Sequence, residues 1–306
     1  IFHTTEAEVR NSWKSKLNTA LDCSVLYYLT GNSSYAALAG GVLHNSVESL
    51  LDTPTGPLPY GGWTFHDGGL LKEAREVGTQ MPIIYDFLHG YLQSNTVWSV
   101  DAGSSVSFST NNAQTVFETY WQLCRDRGLD GNNWGALMGT CMVLNILGLD
   151  DVADRDAALD FYTYTGTDKQ DSLATDHSHF DQAAPYAIYP ESLQYAGGVV
   201  TRDTYAMTLI ERYDTNRTLF ADFSLIPESL HRLNDLKFPN GSDYIVFGDG
   251  PRETDGKIDY LSAELIYQHA KRLGRSDLMD FNGGVINEGF ASGYYDRSGW
   301  DECAGL

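Results

Sequence analysis

Apolar residues recur at helical spacing along most of the chain. Between residues 5 and 30, Leu17, Ala20, Leu21, Ser24, Val25, Tyr28 and Leu29 form one stripe, and Thr30-Gly31-Asn32 stops it. The same period predicts helices at about 34–51, 70–93, 112–127, 134–148 and 152–164. It resumes at 183–197 and 201–214, in shorter pieces over 217–235, and at 258–273. A polar, alternating piece, VWSVDAGSSVSFST, reads as strand. The segment TGTDKQDSLATDHSHFDQ reads as a loop, and the glycine-rich end from about residue 281 as an irregular tail. About ten helices with few short strands, no β-α-β alternation and no repeat of fixed period predict a mainly α protein. The expected architecture is an (α/α) toroid, an incomplete barrel of antiparallel helix pairs, formed by residues 1–306 as one domain.

Charge narrows the partners. The chain carries 41 acidic against 20 basic residues, a formal charge of −21. Such a body does not bind nucleic acid, whose phosphates need clustered Lys and Arg. No apolar run reaches the roughly 18 residues of a membrane span. Four cysteines are too few for a disulfide scaffold and match no zinc spacing. The opening IFHTTEAEV reads as a mature end, and three sequons, at Asn32, Asn216 and Asn240, fit a secreted glycoprotein. With 19 Tyr and 6 Trp, the chain is rich in rings that offer a flat apolar face and a polar handle, as sugar clefts require.

The stretch GNNWGALMGTCMVLNIL (residues 131–147) is an uncharged helix that enters the core. It opens on two carboxamides, Asn132 and Asn133, and the indole of Trp134. One Asn suffices to cap a helix, so the second is available for other work. Three further segments concentrate polar and aromatic groups. Trp63 and His66-Asp67 lead to Arg75. Residues 175–195 hold His177, His179, Tyr186, Tyr189, Glu191 and Tyr195. Phe247–Gly250 form a short loop. Ordinary packing explains any single tyrosine here, but two histidines and several tyrosines within some twenty residues form a set. His177 and His179 as a metal pair are a second possibility but lack a third ligand nearby in sequence; the chemistry requires no metal, and a structural ion is left open.

Amide, histidine and tyrosine together suit β-elimination from a uronic acid. The C5 proton is only weakly acidic until a neutral amide or an Arg hydrogen-bonds the adjacent carboxylate and stabilises the charge that develops there. A base, His or tyrosinate, takes that proton, and an acid, often Tyr, protonates the departing glycosidic oxygen. Asn133 supplies the amide, His177 or His179 the base, and Tyr189 or Tyr195 the acid. Asn132, Trp134, Arg75, His66, Trp63, Tyr186 and Glu191 are the expected substrate contacts. No cofactor is required, and the expected partner is an anionic polysaccharide.

These motifs resemble those of the α/α-toroid polysaccharide lyases, the group that contains alginate lyases, heparinase II/III-like enzymes and chondroitin lyases. In that group an Asn-Asn-His-Gly or Asn-Trp element opens an inner helix, as Asn132-Asn133-Trp134-Gly135 does here. About fifty residues later, His179, Tyr189, Glu191 and Tyr195 stand where the group carries its catalytic segment. The resemblance implies cleavage of alginate or a related polyuronate outside the cell. Two other readings use the same residues. A toroid glycoside hydrolase would pair Glu191 with Asp67 or Asp249 across the scissile bond. A glycan-binding protein would hold the polymer without cutting it.

Overall fold

A computed structural model describes residues 6–55, 63, 78–128, 133–182, 189–190, 193–236, 260–293 and 295. They are mainly helical: α1 Glu6–Thr30, α2 Ser33–Leu51, α3 Gln80–Ser94, α4 Thr110–Arg127, α5 Asn133–Leu147, α6 Val152–Tyr164, α7 Leu173–Gln182, α8 Leu193–Tyr213, α9 Leu219–Asp222, α10 Leu225–Asp235, α11 Tyr260–Leu273 and α12 Ser276–Ser292. Among the described residues two strands, β1 Thr96–Ser99 and β2 Ser104–Ser107, separate α3 from α4. The mainly α reading holds, and consecutive helices pair as hairpins, the building block of an (α/α) toroid.

The residues cluster into two compact units, one of residues 1–130, 141–160 and 302–306, the other of residues 131–140 and 161–301. In the first, α1 and α2 meet across a two-residue turn. Gly31 takes a left-handed φ of 68° there, and the Asn32 side chain caps α2 by accepting from the Ser34 N–H at 3.0 Å. Ala36, Ala39, Leu43, Val47 and Leu50 form the buried stripe of α2, against Leu17, Ala20 and Leu21 of α1. The strand-like piece is an antiparallel hairpin in the register Val97↔Val106. Asn45 ties it to α2, donating to the Trp98 carbonyl at 2.9 Å and accepting from the Val100 N–H at 2.8 Å. Among the described residues Cys124 and Cys141 are buried free thiols, and Cys23 is a half-buried one.

In the second unit, α11 and α12 form another hairpin, turned at Gly274 with φ 70°. The expected irregular tail is therefore a helix as far as Ser292. Two of its glycines, which read as breakers in the sequence, are contact points instead. Gly283 faces the Tyr267 ring, and Gly289 lies so close to Tyr260 that a Cβ would overlap the ring. Two further expectations change. Of the segments predicted at 183–197 and 201–214, residues 193–213 form one helix, α8, unbroken across Val199-Val200, and residues 183–188 and 191–192 lie outside the described residues. The predicted loop over 165–182 is helical from Leu173, because Ser172 caps it by accepting from the Thr175 N–H at 3.1 Å. No helix among the described residues is long and apolar enough to cross a membrane.

The two kinds of glycine in α12 make a test of this packing. Gly289→Ala forces the Tyr260 ring aside and should cost about 1–3 kcal/mol, the usual penalty of overpacking. Nothing among the described residues lies within 4 Å of where a methyl group on Gly284 would stand. Gly284→Ala should therefore stabilise by about 1 kcal/mol through helix propensity alone. Urea unfolding of the two variants gives the comparison, and equal effects would contradict the Gly289 contact.

Candidate active site

The uncharged helix α5 is built to receive other chain segments closely. Gly135 and Gly139, one turn apart, leave its surface bare. Without a side chain at Gly135, the Asp171 carboxylate comes to 3.1 Å from where a Cβ would be, and at Gly139 the Tyr162 ring comes to 2.9 Å. Gln170 fixes the first contact by donating its amide to the Gly135 carbonyl at 2.7 Å. The turn that carries Gln170 and Asp171 closes through the Thr167 N–H on the Gln170 carbonyl at 2.8 Å. Gly166 begins it at φ 63°, where any Cβ would meet the Ser172 nitrogen at 2.7 Å. Ser172 then caps α7, so a few residues of local structure deliver Asp171, Asp176 and His179 beside the start of α5.

Asp171, Asp176 and His179 each turn one ligand-type atom into a space where these atoms lie within 4.8 Å of one another. Asp176 and His179 share a face of α7 at a spacing of three residues, with His179 Nδ1 3.9 Å from Asp176 Oδ1, beyond hydrogen-bond reach. Asp203 of α8 is fully buried, Asp176 is 1% exposed and Asp171 6%. Burial first, and then the charges of Asp203 and Asp171, hold Asp176 well above the ordinary carboxylate range. Burial and Asp171 do the same to Asp203. The Tyr162 phenol is raised as well, by burial and then by Asp203 and Asp176. Among the described residues, neither oxygen of Asp176 or of Asp203 has a hydrogen-bond partner, nor does His179 Nδ1 or the Tyr162 hydroxyl.

The residues expected from sequence fall in different places. Asn133 and Trp134 open α5, both half-buried, on the helix end that packs against Asp171. His179 meets the same cluster from α7, and the Tyr189 ring stands edge-on to it at 5.7 Å. The two motifs that lie some fifty residues apart in sequence thus meet in one place. Tyr189 is 3% exposed and also packs on Phe180, whereas Tyr195, in the first turn of α8, is half-buried. His177 lies two residues from His179 and therefore faces away from it on the helix. Its ring sits against Phe223 at 5.5 Å, and burial lowers its pKa against the pull of Asp181 and Glu228. The histidines that read as a pair are separate groups.

Trp63 requires a correction. It is 2% exposed in the core of the first unit, edge-on to Tyr120 at 4.9 Å, with its indole N–H donating to the Thr53 carbonyl at 3.0 Å. A ring so enclosed presents no face to a sugar. Asn132, His66, Arg75, Tyr186, Glu191, Asp67 and the 247–250 loop lie outside the described residues. The first unit has a separate groove of about 590 Å³, mostly apolar, between Trp13, Leu38 and Trp98. Asp171, Asp203 and Tyr162 do not stand out in the sequence. The signal available for Asp203 is a carboxylate next to Arg202 in the middle of a mostly apolar and hydroxylated helix, α8. For Asp176 with His179 it is the spacing of three on one helix.

Residues 186–302 match the family model for the second domain of endo-acting ulvan lyase. Over 275 residues the chain is 24% identical to an endo-acting ulvan lyase of Formosa agariphila, an alignment that covers 86% of this chain and 32% of that protein. The resemblance to polysaccharide lyases read from the motifs is thus supported by similarity along most of the chain. The chain spans about a third of the length of this curated relative.

The placement of Trp63 predicts a purely structural phenotype. Trp63→Ala should cost about 3–5 kcal/mol by urea unfolding, as for other large-to-small core changes. Loss of polysaccharide affinity at full stability would return this ring to the ligand.

Proposed function

We propose that this chain belongs to a polysaccharide lyase that cleaves a uronic-acid polymer by β-elimination, and that ulvan is the polymer to test first. The observation that carries the reading is the meeting of the Asn133-Trp134 end of α5 with the α7 cluster around His179. Similarity to an enzyme named for ulvan supports that polymer ahead of alginate. Such polymers are too large to enter a cell, so the enzyme acts outside it, in keeping with the three sequons.

In this reading the Asn133 amide donates to the uronate carboxylate and strengthens that bond as negative charge builds up during C5 deprotonation. Trp134, next to it, offers its ring to a sugar face. An α7 histidine takes the C5 proton, and Tyr195 protonates the glycosidic oxygen as the C4–O bond breaks. Tyr195 is chosen over Tyr189 because it is half-buried while Tyr189 is enclosed. A phenol hydroxyl within hydrogen-bond reach of the glycosidic oxygen can give its proton to the leaving alkoxide. These steps consume no cofactor.

The product decides between the readings. β-Elimination leaves a C4–C5 double bond conjugated with the carboxylate, which absorbs in the ultraviolet. Hydrolysis yields reducing ends without that absorbance, and simple binding yields neither. Incubation with ulvan, alginate and glucuronan should raise ultraviolet absorbance with at least one, and silence across the panel would remove the lyase reading. Given activity, Asn133→Ala should lower kcat by about 10²–10³. Tyr195→Phe, which removes only a hydroxyl, should lower it by about 10²–10⁴. If Tyr189→Phe is inactive and Tyr195→Phe is not, the acid lies on the enclosed ring instead.

A further inference from the structure

Three carboxylates and an imidazole share one buried place in the second unit, and two of the carboxylates, Asp176 and Asp203, have no hydrogen-bond partner among the described residues. Asp176 and Asp203 have four carboxylate oxygens between them, all buried and none accepting a hydrogen bond from the described residues. His179 Nδ1 is likewise without a hydrogen-bond partner among them, and its side chain is 20% exposed. Carboxylates as buried as Asp176 and Asp203 are normally paired, multiply hydrogen-bonded or bound to metal. The ligand atoms of Asp171, Asp176 and His179 lie within 4.8 Å of one another, so that one ion with bonds of about 2.0–2.2 Å to nitrogen and oxygen would draw them slightly closer together.

We infer that Asp171, Asp176 and His179, beside the buried Asp203, hold a divalent transition cation of the Zn²⁺ or Mn²⁺ kind. Several carboxylate oxygens favour a hard or borderline ion, and the imidazole nitrogen disfavours Ca²⁺ and Mg²⁺, which take oxygen almost exclusively. The ion cancels two of the negative charges that otherwise repel, so the three aspartates need not take up protons to be buried. Its ligands come from the 166–172 turn and from α7, and Asp171 in turn packs on Gly135. The ion therefore ties these segments together next to the start of α5. Its role is positioning.

Metal binding can be measured without turnover. The full chain, treated with chelator and dialysed against ZnCl₂ or MnCl₂, should retain about one ion per chain by elemental analysis. Adding either ion back to the chelated protein at about 100-fold above Kd should raise Tm by on the order of 5–10 °C. Asp176→Asn should abolish retention and the rise in Tm, and Asp203→Asn, which alters the neighbouring carboxylate, should weaken both. Failure of the wild-type chain to retain either ion, with no thermal response to added metal, would overturn the proposal and leave a proton-sharing acidic cluster. Retention undiminished in both Asn variants would overturn the ligand set. Because these readouts do not use substrate, a chain that binds metal yet yields no ultraviolet product keeps the site and loses the lyase reading. A chain that yields product without retaining metal does the reverse.

Discussion

The second unit is organised around the cost of burying charge. Asp171, Asp176 and Asp203 are each at most 6% exposed, and a carboxylate withdrawn from water is tolerated only when something compensates it. Around these groups the surrounding structure is tightly specified. Gly166 makes the turn, Ser172 caps α7, Gln170 grips the Gly135 carbonyl, and two glycines keep α5 bare. Each is a local device of small energetic weight, and their combined effect is to hold acidic groups where an ordinary core would have leucines. A fold whose sole purpose was stability would gain by replacing them with apolar residues.

The helix α5 explains why that region and the helix opening coincide. It carries no charged side chain, and its first turn has no acidic residue to satisfy the positive end of its dipole. An amide and an indole stand at this pole, with the Asp171 carboxylate packed against Gly135 beside them.

Helix existence is legible from apolar period alone, because stripes such as Ala36-Ala39-Leu43-Val47-Leu50 leave little choice of face. The differences between expectation and structure have a common cause, glycine and polar residues whose role is set by a distant partner. The glycines of α12 read as an irregular tail because nothing local reveals that Tyr260 and Tyr267 will lie against them. The 173–182 helix reads as a loop because its polar residues face other polar residues in the interior. The Asn133-Trp134 and His179 motifs are found by residue type, and their proximity is implied only by resemblance. The opposed directions of His177 and His179 follow from the helix, which the sequence does not announce. Trp63 fails as a sugar contact because composition cannot distinguish an enclosed indole from one on a surface.

The two-residue turns at Gly31-Asn32 and Gly274-Arg275 have a consequence for how the chain reaches this state. Each joins two long helices whose mutual contacts are close in sequence, so little loop entropy is lost in bringing them together. The α1–α2 and α11–α12 hairpins can therefore form early and independently. By contrast, Asp203 of α8 meets Asp171 and Asp176 from further along the chain, so bringing the acidic cluster together closes a longer loop than either hairpin turn does.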